Sequence, residues 1–211
     1  MGIEIDQIKT FYYKIMSFVK SHFYLLLLIP IIDYAYSLYD RHTHMDDEDL
    51  LWMNVYSEED IRLFTSLDGS SIDTMFIYKK DIWNSTSLFW NGPIGGLYLA
   101  GGQFKYILIH DKDSITGTMS ISKKEKENPV WLDFRLGGRF GFDIKQEMKT
   151  TIIHGIKYND CIYVDDTNSS ISEYFQDSLR ISSFIWSKSY GLLEYTFVNS
   201  DKYQINEIHT K

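Results

Sequence analysis

Cysteine is nearly missing from this chain of 211 residues: Cys161 stands alone. No disulfide can form within it, and a cysteine-rich zinc site is excluded. Proline is almost as rare, at three residues, and thirteen glycines are too few for a collagen-like or low-complexity chain. Alanine is scarce too, while aromatics reach 16%, a profile that favours strands over helices. Also missing is any excess of basic charge. Residues 1–39 hold three Lys and three acids, and residues 40–211 hold 18 Lys/Arg against 26 Asp/Glu, so the body carries the whole net charge of −8. Without a basic stripe to neutralise phosphates, nucleic acid is not an expected partner, and the body has no attraction for an anionic membrane surface.

What is present begins with an apolar run, Phe23–Ile32. Before it, Ile5, Ile8, Phe11, Tyr12, Ile15, Met16 and Val19 recur at spacings of three and four, which is helical periodicity. A helix over residues 15–36, about 22 residues, would span a bilayer. Lys20 would snorkel at one end and the tyrosines at 34–39 would form an interfacial belt, with Asp33 at the boundary and Pro30 kinking the last turns. Lys9, Lys14 and Lys20 precede the run and only Arg41 follows closely. The positive-inside rule then puts the amino terminus in the cytoplasm and the body in the periplasm, as a single-pass inner-membrane protein. Two alternatives stay open: a signal peptide cut near Ser37, after Ala35-Tyr-Ser37, giving a secreted body, or a buried core helix. The expected division is residues 1–39 as cytoplasmic tip and anchor, 40–54 as an acidic linker, and 55–211 as a β domain.

His42-Thr-His44 followed by Asp46-Asp-Glu-Asp49 is the one cluster of metal-ligand types. His42, His44 and Asp46 are weak metal candidates, and a solvated linker is the plainer reading. The body that follows is a series of strand-like runs. Ile61–Ser66 and Ile72–Tyr78 flank an Asp68-Gly turn, which predicts a hairpin. Runs at 104–110, 115–121, 130–134 and 140–144 succeed one another without helix-sized gaps, which predicts an antiparallel meander. Residues 150–164 read as a strand, a turn at His154-Gly155 and a second strand, and 165–177 as a polar loop with one helical turn at 172–175. Then 181–187 and 192–198 read as strands and 203–208 as an added edge strand. The glycine-rich stretch 91–102 lacks the Lys-Ser/Thr of a phosphate loop and reads as bends in a curved sheet. Cys161, inside a strand with no base beside it in sequence, reads as a packed thiol.

Two segments carry a resemblance. Thr151-Ile-Ile-His-Gly-Ile-Lys-Tyr-Asn-Asp-Cys-Ile-Tyr-Val164 resembles a "T-I-x-G-x-x-Y-x-x-V" segment, and Phe184-Ile-Trp-Ser-Lys-Ser-Tyr-Gly-Leu-Leu-Glu-Tyr195 resembles a "Y-S-K-x-Y-G-L-I-K-Y" hairpin. Both recur, in this order, in small cell-envelope proteins of Bacteroidetes-type bacteria, mostly lipoproteins, and Ile72-Asp-Thr74 is similar to an upstream element of the same proteins. The resemblance implies a β-rich, exported, envelope-attached domain and brings no catalytic residues with it. The lipoprotein cysteine is missing here, and the apolar run stands in its place. Asp73-Thr-Met, Asp113-Ser-Ile and Asp177-Ser-Leu also match the O-glycosylation pattern of those bacteria, which would place sugars on Thr74, Ser114 and Ser178.

The expected fold is mainly β: a curved antiparallel sheet, half-barrel or barrel-like meander, preceded by one amino-terminal helix. His110 beside Asp111 and Asp113 is the candidate acid–base group, with a polar turn as the commoner explanation. No serine elbow and no cofactor motif is present, so neither catalytic residues nor a cofactor are assigned. The favoured function is a non-enzymatic binding module of the bacterial cell envelope, with a periplasm-facing immunity protein as one variant. It predicts an exposed aromatic patch on one face and another envelope protein as partner. The alternatives are a carrier for lipid or another apolar ligand, needing an apolar cavity, and a metal-dependent hydrolase.

Overall fold

The structure, a computed structural model, describes residues 9–22, 28, 31–32, 44–84, 100–123, 129–144 and 147–206. Helix α1 covers residues 9–22 and α2 covers Asp47–Leu50. The strands are β1 (Ile61–Ser66), β2 (Ile72–Trp83), β3 (Ala100–His110), β4 (Asp113–Lys123), β5 (Trp131–Leu136), β6 (Arg139–Ile144), β7 (Lys149–Ile153), β8 (Ile156–Val164), β9 (Ser170–Ile171), β10 (Ile181–Ser187), β11 (Gly191–Phe197) and β12 (Lys202–Ile205). The apolar run 23–32, the 34–39 tyrosines, the cleavage motif and most of the glycine-rich stretch lie outside the described residues. Among the described residues no helix is long and apolar enough to cross a membrane.

All twelve strands join one antiparallel sheet in the order β7-β8-β10-β11-β12-β1-β2-β3-β4-β5-β6-β9, curled into a half-barrel. Two runs of consecutive neighbours, β1 to β6 and β7-β8-β10-β11-β12, meet where Phe64 of β1 faces Ile205 of β12, while the short β9 crosses over to pair with β6. The Asp68-Gly turn closes the β1–β2 hairpin as expected: Asp68 accepts from the Ser66 hydroxyl at 2.6 Å and from the Ser70 N–H at 3.0 Å. Register slips at Ile77/Lys79, Leu132/Phe134 and Ile185/Trp186 add the bends that curl the sheet. At one end the two halves touch, Ile181 N–H donating to the Gly137 carbonyl at 2.9 Å.

Alternation along the strands sends Phe64, Met75, Ile77, Phe104, Tyr106, Leu108, Met119, Phe134, Phe184 and Trp186 to the concave face. Trp186 lies at the middle of this core, its ring 5.9 Å from Tyr56, 6.3 Å from Tyr106 and 5.4 Å from Phe134. Close packing leaves no space for added atoms. Gly117 of β4 lies directly under the Tyr106 ring, where a Cβ would collide with it.

The segment expected to be a linker differs from that expectation. From residue 44 onward it is packed into the half-barrel: Met45, Trp52, Met53 and Tyr56 are all buried. Asp46 caps α2 by accepting the Asp49 N–H at 2.8 Å, and Asp49 returns the bond to the Asp46 N–H at 3.2 Å. Lys123, buried at the end of β4, donates to Asp46 at 2.9 Å and to Asp49 at 2.6 Å. The acids that make the stretch look solvated are therefore the ones that fasten it. Tyr56 completes the plug, its hydroxyl accepting the Leu192 N–H at 2.8 Å. That approach requires Gly191, whose φ of +80° is left-handed and whose missing Cβ leaves space for the Tyr56 ring.

Candidate functional site

His110 ends β3 with its side chain on the concave face, and Asp73 lies opposite on β2. The pairing of Thr74 with Ile109 brings the two together across 37 positions of sequence. His110 Nδ1 lies 3.0 Å from both Asp73 oxygens, and the Tyr195 hydroxyl of β11 donates to Asp73 at 2.5 Å. The imidazole is held between rings, 4.6 Å from Phe197 and 5.5 Å from Tyr203. Tyr203 shares a hydrogen bond of 2.7 Å with the Ser71 hydroxyl. Burial holds the Asp73 carboxyl above the usual carboxylate range, opposed by the bonds from Tyr195 and His110. Burial, then the neighbouring Asp73, pushes the Tyr195 phenol far up, so it stays a proton donor.

Chemically this is a carboxylate–imidazole pair, with the second ring nitrogen 3.9 Å from the exposed Asp111. Asp111, expected beside His110, is only a distant neighbour, and Asp113 is its backbone partner across the β3–β4 turn. A nucleophilic triad would need a hydroxyl on the imidazole, but Ser71 bonds to Tyr203 instead. The cluster ties β2, β3, β11 and β12 at one end of the half-barrel, which is a structural role. In the sequence Asp73 stands out only within Ile72-Asp-Thr74 and as the first residue of Asp-Thr-Met. An inward-facing acid in an otherwise apolar strand was the signal available.

Of the metal candidates, His42 lies outside the described residues, His44 is exposed, and Asp46 is engaged with the Asp49 N–H and with Lys123. Lys123 holds the Asp46 carboxyl below its usual value. Among the described residues no three His, Cys, Asp or Glu side chains are grouped to hold a metal. Cys161 is buried, its thiol pushed up to about 11 by that burial. Thr74 and Ser114 both lie on the convex face, either side of Ile109, and Ser178 is exposed in the 3-10 turn Asp177–Leu179.

Two surface features remain. On the convex face of β1–β3, Leu63 lies in one cross-strand row with Thr74 and Ile109, and Ile61 lies in the next with Phe76 and Ile107. Ile61, Leu63, Ile72 and Ile109 are all exposed. Among the described residues this patch is mainly aliphatic, with Phe76 half-buried inside it, and most of the large aromatics are turned inward. Trp186 is core and Trp131 half-buried, while Trp83 is exposed and Trp90 is outside the described residues. The second feature is a slot of about 430 Å³ between β6 and the end of β8, floored by Phe142, Ile144, Ile162 and Tyr163. Its wall, the 165–168 loop, is fixed by the buried Arg139, which donates to Ser169 at 2.7 Å and to Asp166 at 2.6 Å. Glu147, Lys149, Asp165, Thr167 and Asn168 make the rim polar.

No family model, no curated protein and no solved structure matches this chain.

Proposed function

We propose that the chain is a membrane-anchored, extracytoplasmic binding module of the bacterial cell envelope that acts without catalysis, holding a protein partner against the convex face of β1–β3. The observation that carries this reading is the apolar strip of Ile61, Leu63, Ile72, Phe76, Ile107 and Ile109 across three neighbouring strands, with Thr74 between Leu63 and Ile109. Large apolar patches on a folded surface mark interaction sites, whereas scattered apolar residues need no partner. The concave face is filled by its own aromatics and by the 44–56 plug, which takes up the space a carrier would use.

The test is native mass spectrometry of the full chain isolated from a bacterial envelope, beside an Ile61→Lys/Ile109→Lys variant. Both substitutions are on exposed positions and should move stability by only about 0.5 kcal/mol each. A protein bound stoichiometrically to the parent and lost from the variant is expected. A partner that the variant retains, or no partner on either, refutes the assignment.

A second reading rests on the seam slot, whose volume suits a small amphiphile with an apolar end on Phe142 and Ile162 and a polar end at Lys149 and Asp165. In the same experiment it predicts a small-molecule adduct that disappears on Phe142→Asp.

A further inference from the structure

Helix α1 has two unlike faces. At about 100° per residue, Phe11, Tyr12, Ile15, Met16, Phe18 and Val19 fall within one arc of about 160°, which also holds His22 at its end of the helix, while Lys9, Lys14, Lys20, Thr10, Tyr13, Ser17 and Ser21 share the remainder. The apolar face is uncovered: Phe11 is 68% and Phe18 63% exposed, and residues 9–21 are exposed throughout. Between residues 9 and 22 there are three lysines and no acid, in a protein whose net charge is −8.

We infer that α1 lies in the plane of an anionic lipid leaflet, with the Phe11–Phe18 face sunk into the acyl boundary and its lysines among the headgroups. This rests on the membrane-anchor part of the proposed function and names how, and to which lipids, the anchor attaches.

The charge pattern selects this occupant. Wide apolar arcs bordered by lysines match an interface that is greasy below and negative above. A second copy of α1 would bring three lysines against three, and the acidic body offers no anionic-lipid affinity of its own. Nor does α1 suit a crossing. Lys14 and Lys20 would be carried inside, and among the described residues no helix is long and apolar enough to cross. Directly after it in sequence comes the apolar run Phe23–Ile32, whose composition is itself lipid-compatible.

The experiment places an environment-sensitive fluorophore on single cysteines introduced at Tyr13, Ile15, Ser17 and Phe18 of the full chain. The native Cys161 is buried with a raised pKa and does not compete for the label. The labelled chains are added to vesicles of phosphatidylcholine, with or without phosphatidylglycerol. In-plane seating predicts a helical alternation, with positions 15 and 18 shielded from a water-soluble quencher and positions 13 and 17 quenched. Replacing Lys9, Lys14 and Lys20 by Gln should weaken binding to the anionic vesicles by roughly 100-fold. Shielding that rises steadily from 13 to 18, or affinity indifferent to phosphatidylglycerol and to the lysines, overturns the inference and leaves the anchor standing. No association with either vesicle overturns the anchor reading as well.

Discussion

Trp52→Ala should be among the most damaging single substitutions in this chain, although it falls where composition suggests a solvated linker. Trp52 is fully buried and belongs to the main hydrophobic cluster, with the Lys188 ammonium 5.9 Å over its ring. Removing a buried indole costs about 3–5 kcal/mol, through lost transfer free energy and the void left behind. For a domain of this size that lowers Tm by about 6–20 °C. Two controls sharpen the reading. Leu51, the preceding residue, is exposed, so Leu51→Ala should change stability by no more than about 0.5 kcal/mol. Trp52→Phe keeps most of the buried ring and discards an indole N–H that has no hydrogen-bond partner among the described residues, so it should cost clearly less than Trp52→Ala. Urea unfolding of the full chain in mild detergent, followed by tryptophan fluorescence and far-UV circular dichroism, measures all three. Equal, small effects of Trp52→Ala and Leu51→Ala would refute the plug and return residues 44–56 to the role of a tether.

The remaining predictions concern protonation. Asp68 is held down to about 2 by the Ser66 hydroxyl and the Ser70 N–H, so its contribution is present above the unfolded value of 3.8 and is lost as pH falls through about 2; Asp68→Asn should flatten that acid limb in pH-dependent thermal melts. Asp73 has the opposite sign. Its folded carboxyl keeps its proton more tightly than the unfolded chain does, so its contribution is complete below 3.8 and declines as pH rises through the raised folded value. Asp73→Asn should abolish this slope while keeping an acceptor for Tyr195, whereas Asp73→Ala leaves the Tyr195 hydroxyl and His110 Nδ1 facing no acceptor and should cost about 2–4 kcal/mol in urea titrations. Cys161, pushed up to about 11, should react with an aromatic disulfide reagent at pH 8 only on unfolding; rapid labelling of the folded chain would contradict its burial.

Much of the sheet was legible because period-2 alternation is a local property. The runs at 104–110, 115–121 and 181–187 each sit inside an observed strand, and the Asp68-Gly turn fixed the first hairpin without tertiary information. Pairings between distant residues were not legible. That β12 returns to β1, or that Thr74 meets Ile109, depends on cross-strand registers, the second of them shifted by the slip at Ile77/Lys79, that no local pattern encodes. The partner of His110 was therefore sought among Asp111 and Asp113 and found at Asp73. The 44–56 plug was hidden for a different reason. Leu50, Leu51, Trp52, Met53, Val55 and Tyr56 follow Asp46-Asp-Glu-Asp49, but the unbroken run of four acids at the front makes the stretch read as solvated chain. Only the position of Lys123, 74 residues beyond Asp49, reveals those acids as fasteners.

Charge and packing point to a division of labour along the chain. Three acids of the body are buried and bonded, Asp49 to Lys123, Glu194 to Lys202 and Asp73 to Tyr195 and His110, while most of the others stay nearer the surface. A surplus of acid repels an anionic leaflet, while the three lysines of α1 are drawn to it. The two tendencies act on one chain joined through the plug, so a body held by α1 would be pushed off the lipid rather than laid upon it. On the proposed function, a convex face kept away from lipid in this way would stay open to a protein. Raising the ionic strength weakens both forces together, because exposed charges are screened beyond about 8 Å at physiological salt. Partner binding through Ile61, Leu63 and Ile109 should then persist at salt concentrations that release α1 from anionic vesicles, since apolar burial does not depend on screening. Loss of both at the same ionic strength would mean that the convex face binds through charge, and that its aliphatic strip is not the contact.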